Sequence, residues 1–295
     1  MAKHNYVSLY GQVTRAPTIY KNEETGEWIR GICPIVVIRG IRSADVEMQH
    51  VKYDNPIIMS GNPEQIKCMA EWRVGDMVEI KGAITTKNVT KSKTCDHCGV
   101  KNKKDGTVVF VNPIYIEIRE REVSPEKGAE LLKKRSEISN IVFALGSLCN
   151  DPKVYQLERG TLLTTYEIAI NRKFRIQEDA PDTRTDYPWI KSYGAIANAD
   201  AKSLKKGSLI YVDGFLQTRK IEKNCTCEHC GEVFKWPDSS MEIVPYTTEY
   251  LRNYNTPEDI EKAEDEKRQL EINKIFSESE ILYESEQKPE YDQNT

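Results

Sequence analysis

Two short segments of the chain carry paired thiols at metal-ligand spacing. TCDHCG begins at Thr94 and TCEHCG at Thr226. In each, C-x-x-C sets two sulfurs one turn apart, and the glycine that follows permits the tight backbone of a knuckle. A structural zinc ion takes four ligands, so Cys95, Cys98, Cys227 and Cys230 add up to one tetrathiolate Zn2+ site that would clip two parts of the chain together. A separate site in the second copy using Cys225 or His229, or closure between two chains, uses the same residues differently. His97 and His229, inside the knuckles, read as exposed spacers, and Cys33, Cys68 and Cys149, within apolar patterns, as buried thiols.

A second group of residues suits contact with unpaired nucleotides, which needs ring faces for bases and cations for phosphates. NRKFR from Asn171 supplies Arg172, Lys173, Phe174 and Arg175. RTDYPWIKSYG supplies Arg184, Tyr187, Trp189, Lys191 and Tyr193, and LQTRKIEK supplies Arg219, Lys220 and Lys223. On a strand, Tyr187, Trp189, Lys191 and Tyr193 share parity and so lie on one face. Three aromatics and a lysine suit a stacking surface better than a core.

The elements that must position these residues come in two copies. NYVSLYGQVTRAPTIY from Asn5 lies on NIVFALGSLCNDPKVY from Asn140 at an offset of 135. GDMVEIKG at Gly75 lies on GSLIYVDG at Gly207, and the two knuckles on each other, at an offset of 132. Three matching blocks in one order make a repeat. Each copy reads as three strands, one short helix and two more strands joined by a long hairpin that bears the CxxC. That is the order of the OB-fold, a five-stranded Greek-key barrel. In the first copy Asn62 caps the helix, Pro63 opens it, Ile66 and Met69–Ala70 form its apolar face, and Gly75 stops it. In the second, Ala197 to Lys206 does so, with Gly207 as stop. The expected layout is a mainly β chain: a first OB-fold over 1–121, a linker over 122–139 with Ser124 capping a short helix, a second OB-fold over 140–254, and an acidic tail over 255–295. The tail should begin as a helix at Thr256–Pro257–Glu258 and lose order after about Ile281.

Composition fits that layout. The chain has 295 residues and a net charge of −4, but 13 acidic and 5 basic residues lie between Asn255 and Thr295, leaving the body at +4. The longest apolar run, Ile141 to Leu145, is far below the ~18 residues of a membrane span. The N-terminus lacks an apolar signal core, so an intracellular, cytoplasmic protein with reduced thiols is expected.

The second copy resembles the bacterial single-stranded DNA-binding protein (SSB) family through NIVFALGSLCNDP, YEIAINRKF, TDYPWIKSYG and LKKGSLIYVDGFLQTRKIE. The resemblance implies OB-folds, non-catalytic binding of single-stranded DNA in replication, recombination or repair, and assembly into four OB-folds, here a dimer of chains. It places stacking aromatics at Phe174, Tyr187 and Tyr193; a further one expected after TRK is replaced by Ile221. The cations expected to serve phosphates are Arg172, Lys173, Lys191, Arg219 and Lys220. The first copy fits less well. Ile41 stands where the second has Phe174, Asp54 opposite Tyr187 and Ser60 opposite Tyr193, so weaker contact through Arg39, Arg42, Lys52, Tyr53 and Lys87 is expected. The family's tail closes on an acidic motif ending in proline and phenylalanine that recruits replication and repair proteins. This chain ends PEYDQNT, and a tail-borne partner site lacks that signature.

Enzyme chemistry finds little material. There is no Walker loop, GxSxG or HExxH, and two of the four histidines lie inside the knuckles. The competing reading is a zinc-clipped adaptor that uses its OB-folds to bind a protein.

Overall fold

The computed structural model describes residues 4–40, 51–158, 160–173 and 184–286, with side chains to 275. Its N-terminal half runs β1 (Asn5–Val13), β2 (Thr18–Lys21), β3 (Trp28–Ile38), β4 (Tyr53–Asp54), β5 (Ile57–Ser60), α1 (Pro63–Ala70), β6 (Met77–Thr94) and β7 (Lys101–Glu120). After α2 (Pro125–Lys134), the C-terminal half repeats the series as β8 (Asn140–Leu148), β9 (Lys153–Gln156), β10 (Leu162–Asn171), β11 (Thr185–Asp186), β12 (Trp189–Tyr193), α3 (Gly194–Ser203), β13 (Leu209–Thr226) and β14 (Val233–Arg252). α4 (Pro257–Glu286) follows.

Each half closes into a barrel. In the first, β1 pairs with β3, β3 with β5, β5 in parallel with β7, β7 with β6, and β6 with β1. In the second, β8, β10, β12, β14 and β13 close the same ring, with the same single parallel contact. This is the five-stranded OB-fold expected from element order. Val7, Leu9, Ile35, Ile58 and Ile80 fill the first interior, and Val142, Ile168, Ile190, Ile210 and Ile243 the second. The long strands β6 and β13 leave the barrels after Gly82 and Gly214. A Cβ there would meet the carbonyl oxygens of Asn112 and Val244 at 2.4 and 2.3 Å, so only glycine lets the strand bend this close to its neighbour.

The halves join through their first strands. β1 and β8 run antiparallel with Val7 opposite Val142, and these two are repeat equivalents. An approximate two-fold axis therefore passes between them, as between the subunits of a symmetric dimer. The pairing makes one continuous sheet and removes what would be two exposed edges.

Two buried carboxylates lock the halves across this axis. Arg39 Nε donates to Asp54 Oδ2 at 2.6 Å, and Asp54 Oδ1 accepts from the Thr218 amide at 2.7 Å. Symmetrically, Arg172 Nε donates to Asp186 Oδ2 at 2.6 Å, and Asp186 Oδ1 accepts from the Thr86 amide at 2.8 Å. Each aspartate thus pairs with an arginine of its own half and grips a strand of the other. Around them Asn55 N donates to Thr218 Oγ1 at 2.8 Å, and Tyr187 N to Thr86 Oγ1 at 3.1 Å.

These contacts fix the repeat alignment at 132 through this region, pairing Asp54 with Asp186. The expected pairings move by one residue: Tyr187 stands opposite Asn55, not Asp54, and Tyr193 opposite Gly61, not Ser60. The slip arose because the offset is 133 at Ile35/Ile168 and Arg39/Arg172 and becomes 132 by Asp54/Asp186.

Several boundaries also move. α1 keeps its cap, with Asn62 Oδ1 accepting from Glu64 N, but stops at Ala70; the chain then turns to Gly75 at φ +95°. α3 begins at Gly194, three residues earlier than expected, and ends at Ser203. α2 is capped by Ser124 but is more than a connector. Its Leu132 packs with Tyr10, Ile38 and Met77, and Gly128 rests on the Gln12 side chain. α4 starts in a reciprocal cap between Thr256 and Asp259 and runs to Glu286, beyond the expected end near Ile281. Cys68 is exposed and Cys149 half-buried, against the expectation of buried thiols; Cys33 is buried, and burial pushes its pKa up to about 12. Among the described residues no helix is long and apolar enough to cross a membrane.

Removing one member of a buried ion pair leaves the other uncompensated at a cost of about 3–5 kcal/mol, whereas replacing both by apolar groups is far milder. Urea denaturation should therefore show a loss of that size for Asp186→Ala, and a smaller one for the double variant Arg172→Met, Asp186→Leu.

Candidate nucleic-acid interface and metal centre

The knuckles sit at the tips of two long hairpins that leave the barrels side by side. Their turns are alike: Cys95 N bonds Val100 O and Gly99 N bonds Cys95 O, while Cys227 N bonds Glu232 O and Gly231 N bonds Cys227 O. Gly99 and Gly231 take φ +70° and +74°, the left-handed conformation that a knuckle requires.

All four sulfurs lie within 4.8 Å of one another. Cys95 Sγ is 3.8 Å from Cys230 Sγ, and Cys98 Sγ is 3.7 Å from Cys227 Sγ. The repeat exchanges these two contacts, so the axis between Val7 and Val142 also passes through the thiols. Four thiolates at ~2.3 Å from one tetrahedral ion lie about 3.8 Å apart, which is the spacing found. The donor set therefore fits a metal ion held jointly by the two halves. Donation from the backbone amide of Cys230, and then from Asn102 Nδ2 at 3.4 Å, lowers the Cys227 pKa to about 6. Burial and the neighbouring thiols push Cys230 up to about 12 and Cys98 upward, so that without a cation the charge gathers on one sulfur. Cys95 and Cys227 are buried with Phe234 and Trp236 in a small apolar cluster. Cys225 and His229 lie outside the four-thiol group, so the alternative sites built on them are not assembled among the described residues.

The predicted stacking face is present in part. β12 alternates as its period requires: Ile190 and Ser192 point inward, while Trp189, Lys191 and Tyr193 share the outer face. Tyr187 precedes the strand, and it and Trp189 are 47% and 42% exposed. Lys191 Nζ and Arg219 Nε both reach Glu242 Oε1 at 3.0 Å, and Glu242 is almost wholly buried. The Arg219 guanidinium also lies over the Tyr193 ring at 5.9 Å and donates to its hydroxyl. Lys173 and Lys220 are exposed. Phe174 lies outside the described residues, as do Arg42 and Ile41.

Arg172 is a correction. It is 1% exposed and spent on Asp186, so it is not a surface cation for phosphates. The sequence showed a basic run, and only the fold shows that its first member turns inward while Lys173 faces out. Arg39, its counterpart, is held by Asp54 in the same way.

At the corrected register the N-terminal barrel presents Ile57 where the other has Trp189, Met59 where it has Lys191, and Phe110 where it has Glu242. Its equivalent face thus lacks counterparts of Tyr187, Trp189 and Tyr193 and of the ion cluster. Five participants were missed by sequence reasoning. Glu242 and Asp238 looked like ordinary surface acids, and Lys91 like one lysine among many. The aspartates left a signal, since Asp54-x-Pro56 and Asp186-x-Pro188 match at offset 132.

Between the hairpins and the barrels lies a cleft of about 380 Å³ lined by both halves. On one border Asp238 Oδ2 accepts from Lys223 Nζ at 3.0 Å while Oδ1 accepts from Lys91 Nζ of the other hairpin. Burial raises the Asp238 pKa, but these two hydrogen bonds outweigh it and hold the carboxyl at about 2.

Residues 139–229 match the family model described as the single-strand binding protein family. The single-stranded DNA-binding protein of Aquifex aeolicus is 32% identical over 151 residues, which span 51% of this chain and 92% of that protein. Single-stranded DNA-binding protein 1 of Chlorobaculum tepidum is 31% identical over 87 residues, 30% of this chain and 54% of its own length. Among solved structures, a deletion variant of the single-stranded DNA-binding protein from Thermus aquaticus superposes with a TM-score of 0.53 at 16% identity, over 88% of this chain and 100% of that one. Its wild-type form gives 0.52, over 86% and 95%. At that identity the superposition speaks for the fold. With a relative above 30% identity matched over nearly its whole length, the chain belongs to the single-strand binding protein family.

Proposed function

We propose that this protein binds single-stranded DNA, as the names of its relatives state of them, and that it does so without altering the strand and with little preference for sequence. The observation that carries this reading is the outer face of β12, where Tyr187, Trp189 and Tyr193 are accessible beside Lys191 and Arg219. Ring faces accept any base, and exposed cations around them follow the backbone, while Glu242 holds Lys191 and Arg219 beside the rings. Lys173 and Lys220 supply exposed charge on the same half, and Lys101 and Lys103 add it on the first hairpin. Phe174 keeps its expected role as a further ring. The protein acts in the cytoplasm on DNA exposed in replication, recombination or repair, and is not an enzyme.

The ion at the four thiols is zinc, in our reading. A closed set of four thiolates suits a structural Zn2+, which has no redox chemistry and prefers this geometry. It keeps the two hairpins side by side, so that the units 1–121 and 140–254, joined by 122–139, act as one body. Two such chains would bring four OB-folds together. A row of rings supports this: Tyr6 and Phe143 stack at 6.3 Å and Phe143 and Tyr211 at 6.2 Å, on the outer side of the sheet at the axis. The acidic tail contributes a surface for replication or repair proteins.

Titrating the purified protein with oligo-dT should quench tryptophan fluorescence, and salt should reverse the quench with a slope of about −0.7 per phosphate neutralised. Tyr187→Ala with Tyr193→Ala should weaken affinity at least about tenfold, since each stacked base is worth ~1–3 kcal/mol. Unchanged affinity in that variant would remove the stacking assignment, and a flat trace with native protein would favour an adaptor that binds protein instead.

Metal analysis should return one zinc per chain. Cys95→Ser with Cys230→Ser should abolish it and open the hairpin lysines to trypsin, whereas two ions per chain would refute the shared site.

A further inference from the structure

The cleft between the two halves straddles the two-fold axis. Its lining contains repeat equivalents from both: Asn55 with Tyr187, Ile57 with Trp189, and Lys91 with Lys223. The pairs are chemically unlike. The C-terminal half brings an indole and a phenol, and the N-terminal half brings Ile57 and Val109, which are aliphatic.

The charges of the cleft are largely satisfied from within. Lys91 and Lys223 share Asp238, and Lys191 is held by Glu242. Glu167 also lines the space, and burial pushes its pKa up. Such a cleft offers little to a phosphate, which is drawn to unneutralised cations. It suits a flat, neutral group that presents hydrogen-bonding edges, for which Asn55, Thr218, Ser239 and Ser240 stand along the lining. A volume of about 380 Å³ is in the range of small-molecule sites and admits one nucleobase with its sugar.

Building on the single-strand reading above, we infer that one nucleobase of the bound strand enters this on-axis cleft and is held jointly by the Tyr187–Trp189 rings and by Ile57 and Val109 of the other barrel. The N-terminal half is then part of the nucleotide site, through aliphatic contact and not through the cations first expected of it. The strand passes through the seam between the barrels, and its affinity depends on both barrels being held together.

The test uses the full chain with its metal. Ile57→Ser changes a half-buried side chain at the lining and leaves the rings, the thiols and the Asp54 clasp in place. Its affinity for oligo-dT should fall about tenfold, comparable to the loss of a stacking contact, while zinc content and thermal melting stay near native. Because this variant could fold poorly, a second measurement uses the native protein. An oligo-dT carrying 5-iododeoxyuridine, photo-cross-linked and digested, should label peptides from 51–60 or 105–110 as well as peptides from 184–193. If labels fall on the C-terminal peptides alone and Ile57→Ser binds as native, the inference is overturned while single-strand binding stands. If native protein does not bind oligo-dT at all, the single-strand reading falls and takes the inference with it.

Discussion

The antiparallel pairing of β1 with β8 is the constraint on which the rest depends. Backbone hydrogen bonding between the first strands of two similar barrels, centred on Val7 and Val142, sets a two-fold relation within one polypeptide. Everything that joins the halves then obeys it. Asp54 reaches Thr218 as Asp186 reaches Thr86, and the hairpins meet so that Cys95 faces Cys230 as Cys98 faces Cys227. Shifting the pairing by one residue would set the pleats of the two strands out of phase, since β6 already fixes which way Val7 and Leu9 face. It would also pull the clasps and the thiols out of reach.

The clasp and the thiol cluster divide the work by position. The aspartates act where the hairpins leave the barrels, in surroundings dry enough that a carboxylate must be matched by a guanidinium and an amide. The thiols act at the far ends, where among the described residues Phe234 and Trp236 provide the apolar shelter. Long two-stranded ribbons are weak on their own. A metal ion held by the four thiols would compensate for a core too small to hold them.

Much of this was legible in the sequence because it depends on local chemistry repeated twice. The knuckles announced themselves by spacing, the barrels by element order, and the face of β12 by period-2 parity at Trp189, Lys191 and Tyr193. What stayed hidden depends on contacts distant in sequence. Arg172 sits in a basic run and reads as surface until its partner, 14 residues on, is found turned inward with it. Asp238 and Lys91 are 147 residues apart, and no local pattern joins them. The one-residue slip opposite Tyr187 had the same origin, since register across a changing offset is decided by the Thr86 and Thr218 clasps.

The equivalence of the halves is kept in the backbone and abandoned in the side chains around the central cleft. A true homodimer cannot do this, because every substitution is copied across its axis. Here position 57 is isoleucine while position 189 is tryptophan, and position 106 is glycine while position 238 is aspartate. A DNA strand has chemically distinct 5′ and 3′ directions, and a site of perfect two-fold symmetry would receive both alike. Carrying both barrels on one chain gives the cleft two unlike sides, so that a strand bound there would meet them in a single polarity.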